Sequence, residues 1–464
     1  MHSNPNIILL TVDCLRYDYA PPSEKSYAVT SHLYKLSRRC IAFKYAIANG
    51  SYTLPSLISI FSSTYPLMFG ISNVSNTYLA YRVTIPEVLK RKGYYTALFH
   101  SNVFFQSFER KFDYIFDAEV FERRAKSDSV EQKIKSKIIS TALDILNYLS
   151  KRSEVGIWIR VWLQMLFRKY RRYMNDEIVL MEALKWIKKT KEPFFIWLHL
   201  MQLHPPHYLP EEYIPSDLTL SEILKVSYKA TWAPERLSLE EIKILKRIYE
   251  LEVKVVDNLI GQFIEGVIDE LGDNFIMFIT SDHGEGLGEH GKIGHGNSLY
   301  EEIIHIPLLL YVPNKKGAII NELVSQLDIL PTICDLVNVK PSSLFKGKSL
   351  ITFIKNAQRS STNIHLMENI ISESPEGRKT RFSIRCKDLK LILTLETRGW
   401  KVEVYDLYRD PLEKNNIIYK IKNYPQINRL MRKLRKHILA EKETWKLKFK
   451  LKAKIRKLKY LSNI

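Results

Sequence analysis

Four separated stretches of the chain carry residues able to do chemistry on an anion. Asp13 ends an apolar run from Asn6 to Val12. Thr53 stands in SYTLPSLISIF, just before Pro55, Ser56 and a stretch that reads as a helix. It would therefore sit at a helix N-terminus, where free amides and the dipole favour negative charge. His204 lies in HLMQLHPPHYLP, and SDHGEGLGEHGKIGHG gathers Asp282, His283, His290, Lys292 and His295. Two carboxylates, an imidazole and a hydroxyl suit a divalent cation that activates the hydroxyl and neutralises an oxyanion. Each piece alone has an ordinary explanation: an Asp after a strand turns the chain, a Thr before Pro-Ser caps a helix, and histidines around Pro-Pro pack and hydrogen-bond. The last stretch resists that explanation, because Asp-His-Gly with two more histidines and a lysine is seldom assembled without a charge to serve.

These residues need elements that bring them to one place. NIILLTV reads as a buried parallel strand with Asp13 at its carboxyl end, where open α/β sheets place ligands. Similar runs at Tyr94 to Phe99, Pro193 to Leu200, Asn274 to Thr280 and Ile306 to Val312 alternate with helical patterns. One such pattern, Leu239 to Glu270, repeats Ile242, Leu245, Ile248, Leu251, Val255 and Leu259 at helical spacing. The fold class expected is α/β, with a mostly parallel central sheet between helices. From about 364 to 408, shorter runs joined by turns predict a small antiparallel sheet. The expected organisation is a catalytic domain over 1–350 with a basic insertion at 123–174, a small C-terminal α+β subdomain over 351–428, and a basic tail over 429–464.

In order, the stretches resemble the sulfatases of the alkaline phosphatase superfamily. NPNIILLTVDCLRYD is similar to the family's first strand and metal aspartate, and TLPSLISIFSSTYPLMFGI to its nucleophile motif and following helix. PFFIWLHLMQLHPPHYLP resembles the strand that ends in a histidine site. SDHGEGLGEHGKIGHGNSLYEEIIHIPLLLYVP follows the family pattern throughout, and QLDILPTICDL and VEVYDLYRDPLEKNN resemble its later elements. The resemblance implies an alkaline phosphatase or sulfatase-like fold with one divalent cation on Asp13, Asp282 and His283. Thr53 stands at the nucleophile position beside that cation and counts also as a metal contact. His204 and His295 would donate to ester oxygens or the leaving group, with Lys292 a further candidate. Arg16 and Asn102 are candidates for support around the site, although an Arg16–Asp18 surface ion pair is the simpler reading of Arg16.

The departures from the family pattern bear on the chemistry. Cys14 follows Asp13 where the family has a second aspartate, so Mg or Mn stands beside Ca as the expected ion. Formylglycine is made from Cys or Ser, but the position holds Thr53, and Leu57 replaces the motif's Arg, so no formylglycine is expected. The family's Gly-Lys-Trp-His element reads FHSN here, with Ser101 and Asn102 in place. A formylglycine hydrate can expel sulfate by collapsing to an aldehyde, whereas a threonine ester must be resolved by attack at its central atom. Phosphoryl esters take that route readily. The expected function is a metal-dependent hydrolase of a sulfate ester or, given Thr53, a phosphate ester. The alternatives are a phospho-group transferase with a glycan or lipid acceptor, and a catalytically silent member that binds an anionic surface.

The 464 residues carry a formal charge of +20, with 45% apolar and 11% aromatic residues, which excludes a disordered or collagen-like chain. The excess is local: residues 123–173 hold 13 basic and 4 acidic side chains, residues 429–464 hold 14 and 2, and the remainder 43 and 44. With no recognised nucleic-acid module, the basic segments 157–174 and 429–464 point instead to an anionic membrane surface or an acidic glycan. Four scattered cysteines fit neither a zinc knuckle nor a disulfide framework. No leader-like segment and no apolar run of spanning length is evident, so the expected location is cytoplasmic, at most peripheral to a membrane.

Overall fold

A computed structural model describes residues 4–69, 82–102, 104–121, 176–296, 298–356, 368–376, 379–396, 399–421 and 425–440. The whole of the insertion expected at 123–174, with the basic segment 157–174 inside it, and the tail from 441 onward lie outside these residues. Among the described residues no helix is long and apolar enough to cross a membrane.

The central sheet is built from β1 (Asn6–Val12), β2 (Cys40–Ile47), β3 (Tyr95–His100), β4 (Tyr114–Asp117), β5 (Phe194–Leu200), β6 (Phe275–Ser281), β9 (His305–Ile306), β10 (Leu308–Tyr311) and β11 (Ala318–Ser325), while β7 (Gly286–Leu287) and β8 (Ile293–Gly294) form a separate small hairpin. The order is β11-β2-β10-β6-β1-β5-β3-β4, with β9 paired to β2. Every described strand of this sheet points the same way except β9 and β10, which run antiparallel to their neighbours. The reversal has a simple cause. Parallel strands need a crossover back to the starting edge, but the chain between β6 and β10 stays at the carboxyl edge to build the β7–β8 hairpin. It then re-enters the sheet from that edge.

Strand alternation divides the core in two. Ile8, Leu10 and Val12 of β1, with Ile196, Leu198 and Leu200 of β5, pack on one face against Val179 of the helix Asp176–Ile187 and Leu245 and Val256 of the helix Leu239–Leu271. Ile7, Leu9, Phe195 and Trp197 pack on the other face against Leu57, Ile58 and Phe61 of the helix Thr53–Ser62. Both faces are covered, which is why these strands read as unbroken apolar runs. The helix Leu239–Leu271 begins with a Ser238/Glu241 capping box and stops at Gly272, as its sequence pattern predicts.

The second sheet, β12 (Ile370–Glu376), β13 (Lys379–Arg385), β14 (Leu389–Glu396) and β15 (Gly399–Asp406), is antiparallel throughout. Its apolar face, including Phe382, Ile384, Leu391 and Val404, buries Ile427, Leu430 and Leu434 from the helical residues 425–440. Basic residues of the expected tail therefore begin on a packed helix, with Arg432, Arg435 and Lys436 on its outer side. Two polar seams fasten this sheet to the body built around the central sheet. In one, Glu373 donates its backbone N–H to Asn49 O (3.0 Å), and its carboxylate accepts from Leu67 N (2.6 Å) and meets His437 Nε2 (2.6 Å). In the other, Glu301 pairs with Arg385 (3.0 Å) and Lys390 (3.1 Å), and Lys390 with Glu413 (2.9 Å). Glu413 also accepts from Glu301 N (2.6 Å).

Candidate functional site

The carboxyl ends of β1, β2, β5 and β6 project the site residues into one place. Asp13 and Cys14 follow β1, Asp282 and His283 follow β6, and Thr53 opens the ten-residue helix Thr53–Ser62, whose N-cap residue Tyr52 gives no side-chain cap. Gly50 permits this start: a Cβ there would fall 2.6 Å from Ser56 N, so the chain can approach the helix closely only without a side chain. Thr53 Oγ1 lies 3.3 Å from Asp13 Oδ2 and 3.2 Å from His283 Nε2.

Asp13, Asp282 and His283 are fully buried, and their ligand atoms lie within 4.8 Å of one another. His283 Nδ1 faces Gly284 O at 2.8 Å, so that nitrogen carries the proton and Nε2 presents a lone pair. That lone pair stands 3.5 Å from Asp13 Oδ1 and 3.4 Å from Asp282 Oδ2, the latter without a hydrogen-bond partner. Converging acceptors in a dry site repel one another unless a cation stands among them, and the donor set of two carboxylates and one imidazole fits a divalent ion. The electrostatics agree. Burial and the neighbouring Asp13 charge push the Asp282 carboxyl up to about 8, while burial and His295 press the His283 imidazole down to about 4.

The two further histidines complete a row of rings: His204 lies 5.3 Å from His295, and His295 lies 4.5 Å from His283, between ring centroids. His204 is set by the turn after β5, where Asp176 accepts from Met201 N (2.9 Å) and Gln202 N (2.9 Å). Its Nδ1 is turned to Pro205 O at 2.7 Å, so that nitrogen carries the proton and Nε2 presents a lone pair, and burial presses its pKa down. His295 differs. Burial would lower it too, but Glu285 Oε2 at 2.7 Å from Nδ1 outweighs that and lifts it to about 9.

Arg16, Lys292 and Asn102 stand around this group. Arg16 is not a surface pair: it is buried, bonded to both Asp18 oxygens at 2.9 Å, 3.3 Å from Glu289, and donates to Glu285 O at 3.2 Å. It thus braces the backbone of the residue that holds His295. Lys292 Nζ stands over the ring of Tyr300, 5.4 Å from its centroid, and His290 stacks on the same ring while bonding Glu302. Asn102 is buried, with Nδ2 3.5 Å from Met201 Sδ and Oδ1 accepting from Phe104 N at 2.9 Å.

Other residues enter the site without having been singled out from sequence. Glu285 is the partner of His295, and Gln326 donates to the carbonyls of Ser281 (3.1 Å) and Asp282 (2.5 Å), fixing the turn that carries Asp282 and His283. His199 places Nε2 3.4 Å from Asp13 Oδ2. The Asp-His-Gly-Glu string held a signal for Glu285, whereas Gln326 and His199 reach the site only through the fold. His100, Glu109 and Asp117 also gather nearby. There His100 Nδ1 accepts from Asn102 N (3.1 Å), so Nε2, 3.4 Å from Glu109 Oε1, carries the proton and offers no lone pair to a metal.

Residues 5–339 match the sulfatase family, and residues 288–444 match the C-terminal region described as N-sulphoglucosamine sulphohydrolase, C-terminal. The uncharacterized sulfatase YidJ of Escherichia coli (strain K12) is 31% identical over 166 residues, which is 35% of this chain and 32% of that relative, so the match spans about a third of the relative's length. A solved structure of BT4656 in complex with its substrate D-glucosamine-2-N,6-O-disulfate has a TM-score of 0.67 at 19% identity, covering 95% of this chain and 98% of that one. The phosphonate monoester hydrolase of Agrobacterium radiobacter has a TM-score of 0.69 at 16% identity, covering 95% and 96%. At these identities the solved structures establish the fold, and the family match over most of the sequence establishes the kinship: the chain belongs to the sulfatase family.

Proposed function

We propose that the chain is a metal-dependent ester hydrolase whose Thr53 hydroxyl attacks the central atom of an anionic phosphate-type or sulfate ester. The observation that carries this reading is Thr53 Oγ1 at 3.3 Å from Asp13 Oδ2 and 3.2 Å from His283 Nε2, at the open end of a helix. A divalent cation held by Asp13, Asp282 and His283 would neutralise the ester oxygens and favour the ionised hydroxyl. Thr53 Oγ1 loses its proton to solvent and forms the new bond to the central atom as the bond to the departing oxygen on the opposite side breaks. His295, charged through Glu285, supplies from Nε2 the proton that the departing alkoxide needs. His204, held neutral by burial, offers Nε2 as acceptor for the water that then cleaves the threonine ester.

The side chain at position 53 favours a phosphorus centre. A threonine ester has no aldehyde to collapse into, so release requires a second attack at the central atom, which phosphoryl groups accept more readily than sulfuryl groups. Relatives of this fold act on both kinds of ester, a phosphonate monoester in one case and a disulfated glucosamine in the other. The outer basic side of residues 425–440 and the lysines beyond 440 support work at an anionic lipid surface or acidic glycan, on the cytoplasmic side.

The test is turnover of matched aryl phosphate, phosphonate, phosphodiester and sulfate substrates by metal-loaded enzyme, with Thr53→Ala and Thr53→Ser alongside. Loss of the nucleophile should lower kcat/KM by at least about a thousandfold, with Thr53→Ser retaining activity. An unchanged rate in Thr53→Ala for every substrate rejects the nucleophile. Added glycerol distinguishes hydrolysis from transfer, since only a transferase passes the group to the alcohol in excess of its molar share.

A further inference from the structure

Cys14 occupies the position where a second carboxylate would stand in the family pattern, and its geometry there is unusual. It is fully buried, and its backbone adopts φ of 63°, a left-handed conformation that residues with a Cβ seldom take. This conformation turns Sγ to within 3.0 Å of Asp13 Oδ1, while the Cys14 N–H lies 3.4 Å from Asp282 Oδ1. One residue thus touches both carboxylates of the cradle.

The sulfur also belongs to a second convergent group: Cys14 Sγ and the ring nitrogens of His283 and His295 lie within 4.8 Å of one another, as do the ligand atoms of Asp13, Asp282 and His283. The two groups share His283. An independent sign of a missing positive partner is the buried, unpaired Asp282 Oδ2.

We propose that Cys14 Sγ is a fourth protein ligand of the cation, and that the set Asp13, Cys14, Asp282 and His283 selects a zinc-like ion over calcium or magnesium. The inference rests on the reading of Asp13, Asp282 and His283 as a cation cradle and adds the sulfur to it. Calcium takes six to eight oxygens and magnesium an octahedron of oxygens. Here the protein offers two carboxylates, one imidazole and one sulfur, a small mixed set that matches zinc and its cobalt surrogate. The thiol binds as thiolate, and its proton passes to solvent as the ion enters. His295 is not needed as a ligand, since its Nδ1 is engaged by Glu285 at 2.7 Å.

The test uses full-length protein stripped with a chelator and dialysed against equimolar Ca2+, Mg2+, Mn2+ and Zn2+, with retained metal measured by mass spectrometry. Wild type should retain zinc at about one ion per chain. Cys14→Ser should weaken zinc retention by at least about tenfold, and Cys14→Asp should move the retained ion toward calcium, magnesium or manganese. The Co2+-loaded wild type should show a thiolate-to-cobalt charge-transfer band in the near ultraviolet that Cys14→Ser lacks. Because the band is read on wild type, it decides the matter even if a variant folds poorly. A cobalt form without the band, or zinc retention indifferent to Cys14, overturns the sulfur ligand while leaving the cradle standing. Failure of wild type to retain any divalent ion overturns both.

Discussion

Replacing Lys390 with methionine tests whether the C-terminal sheet is fastened by charge. Lys390 is fully buried, with Nζ 3.1 Å from Glu301 and 2.9 Å from Glu413. At an effective dielectric of about 20, each contact is worth roughly 5 kcal/mol of attraction, most of it offset by the cost of drying the ammonium. Methionine fills the space but leaves two buried carboxylates facing the single Arg385, and a broken buried pair costs about 3–5 kcal/mol.

The pH dependence makes the test sharper. Burial pushes Glu413 from 4.5 up to about 7 even with Lys390 beside it. A carboxyl raised in the folded state costs nothing while both states are protonated, and its penalty grows as pH climbs from the unfolded pKa to the folded one. Without Lys390 the folded pKa rises further, so the gap between wild type and Lys390→Met should be wider at pH 8 than at pH 5. Urea unfolding followed by tryptophan fluorescence at both pH values measures it. A loss under about 1 kcal/mol at pH 8, or a gap that does not widen, would refute the account. The same seam holds the loop that runs from His283 to His295, because Glu413 O also meets His290 Nε2 at 3.1 Å.

Glu285→Gln removes the carboxylate that lifts His295, so the alkaline limb of the kcat/KM profile should move to lower pH, and kcat should fall more than KM rises. Burial would raise Glu289, but Arg16 outweighs it and holds the carboxyl at about 2. Its folded pKa is depressed, so its contribution is complete above about pH 4.5 and is lost as pH falls toward 2. Glu289→Gln should accordingly be less stable than wild type at pH 6, with the difference shrinking by pH 3 in urea unfolding. Chelation should lower the melting temperature and metal should restore it, by an amount equivalent to about 2.7 kcal/mol at a hundredfold excess over Kd. Insensitivity of melting to chelator would argue against an ion bound to the folded state.

Much of the fold was legible because β1, β5 and β6 are buried on both faces, so apolar runs mark their positions and the following polar residues mark the ligand edge. Asp13, Thr53, Asp282 and His283 could be picked out for that reason. What escaped depends on contacts distant in sequence. Arg16 looks like half of a surface pair beside Asp18, yet Tyr249, far along the chain, accepts its backbone N–H at 3.1 Å, and Glu289 closes over its guanidinium. The direction of β10 was hidden as well, since an apolar run has no polarity. Lys292 shares a short stretch with His295, but the β7–β8 hairpin and its turns set side chains in directions that spacing does not give.

The seam at Glu373 determines where the chain can be shortened. A cut before residue 429 would take away His437, Leu430 and Leu434, and with them the partner of the carboxylate that holds Leu67 N just beyond the Thr53 helix. Such a deletion could not separate an effect on the proposed surface attraction from damage to the support of the Thr53 helix. A cut after residue 440 removes nine basic and two acidic side chains and spares every one of those contacts. Vesicle sedimentation of the chain cut after residue 440 therefore reads the proposed surface attraction of those nine basic side chains with the packed helix and its contacts left in place.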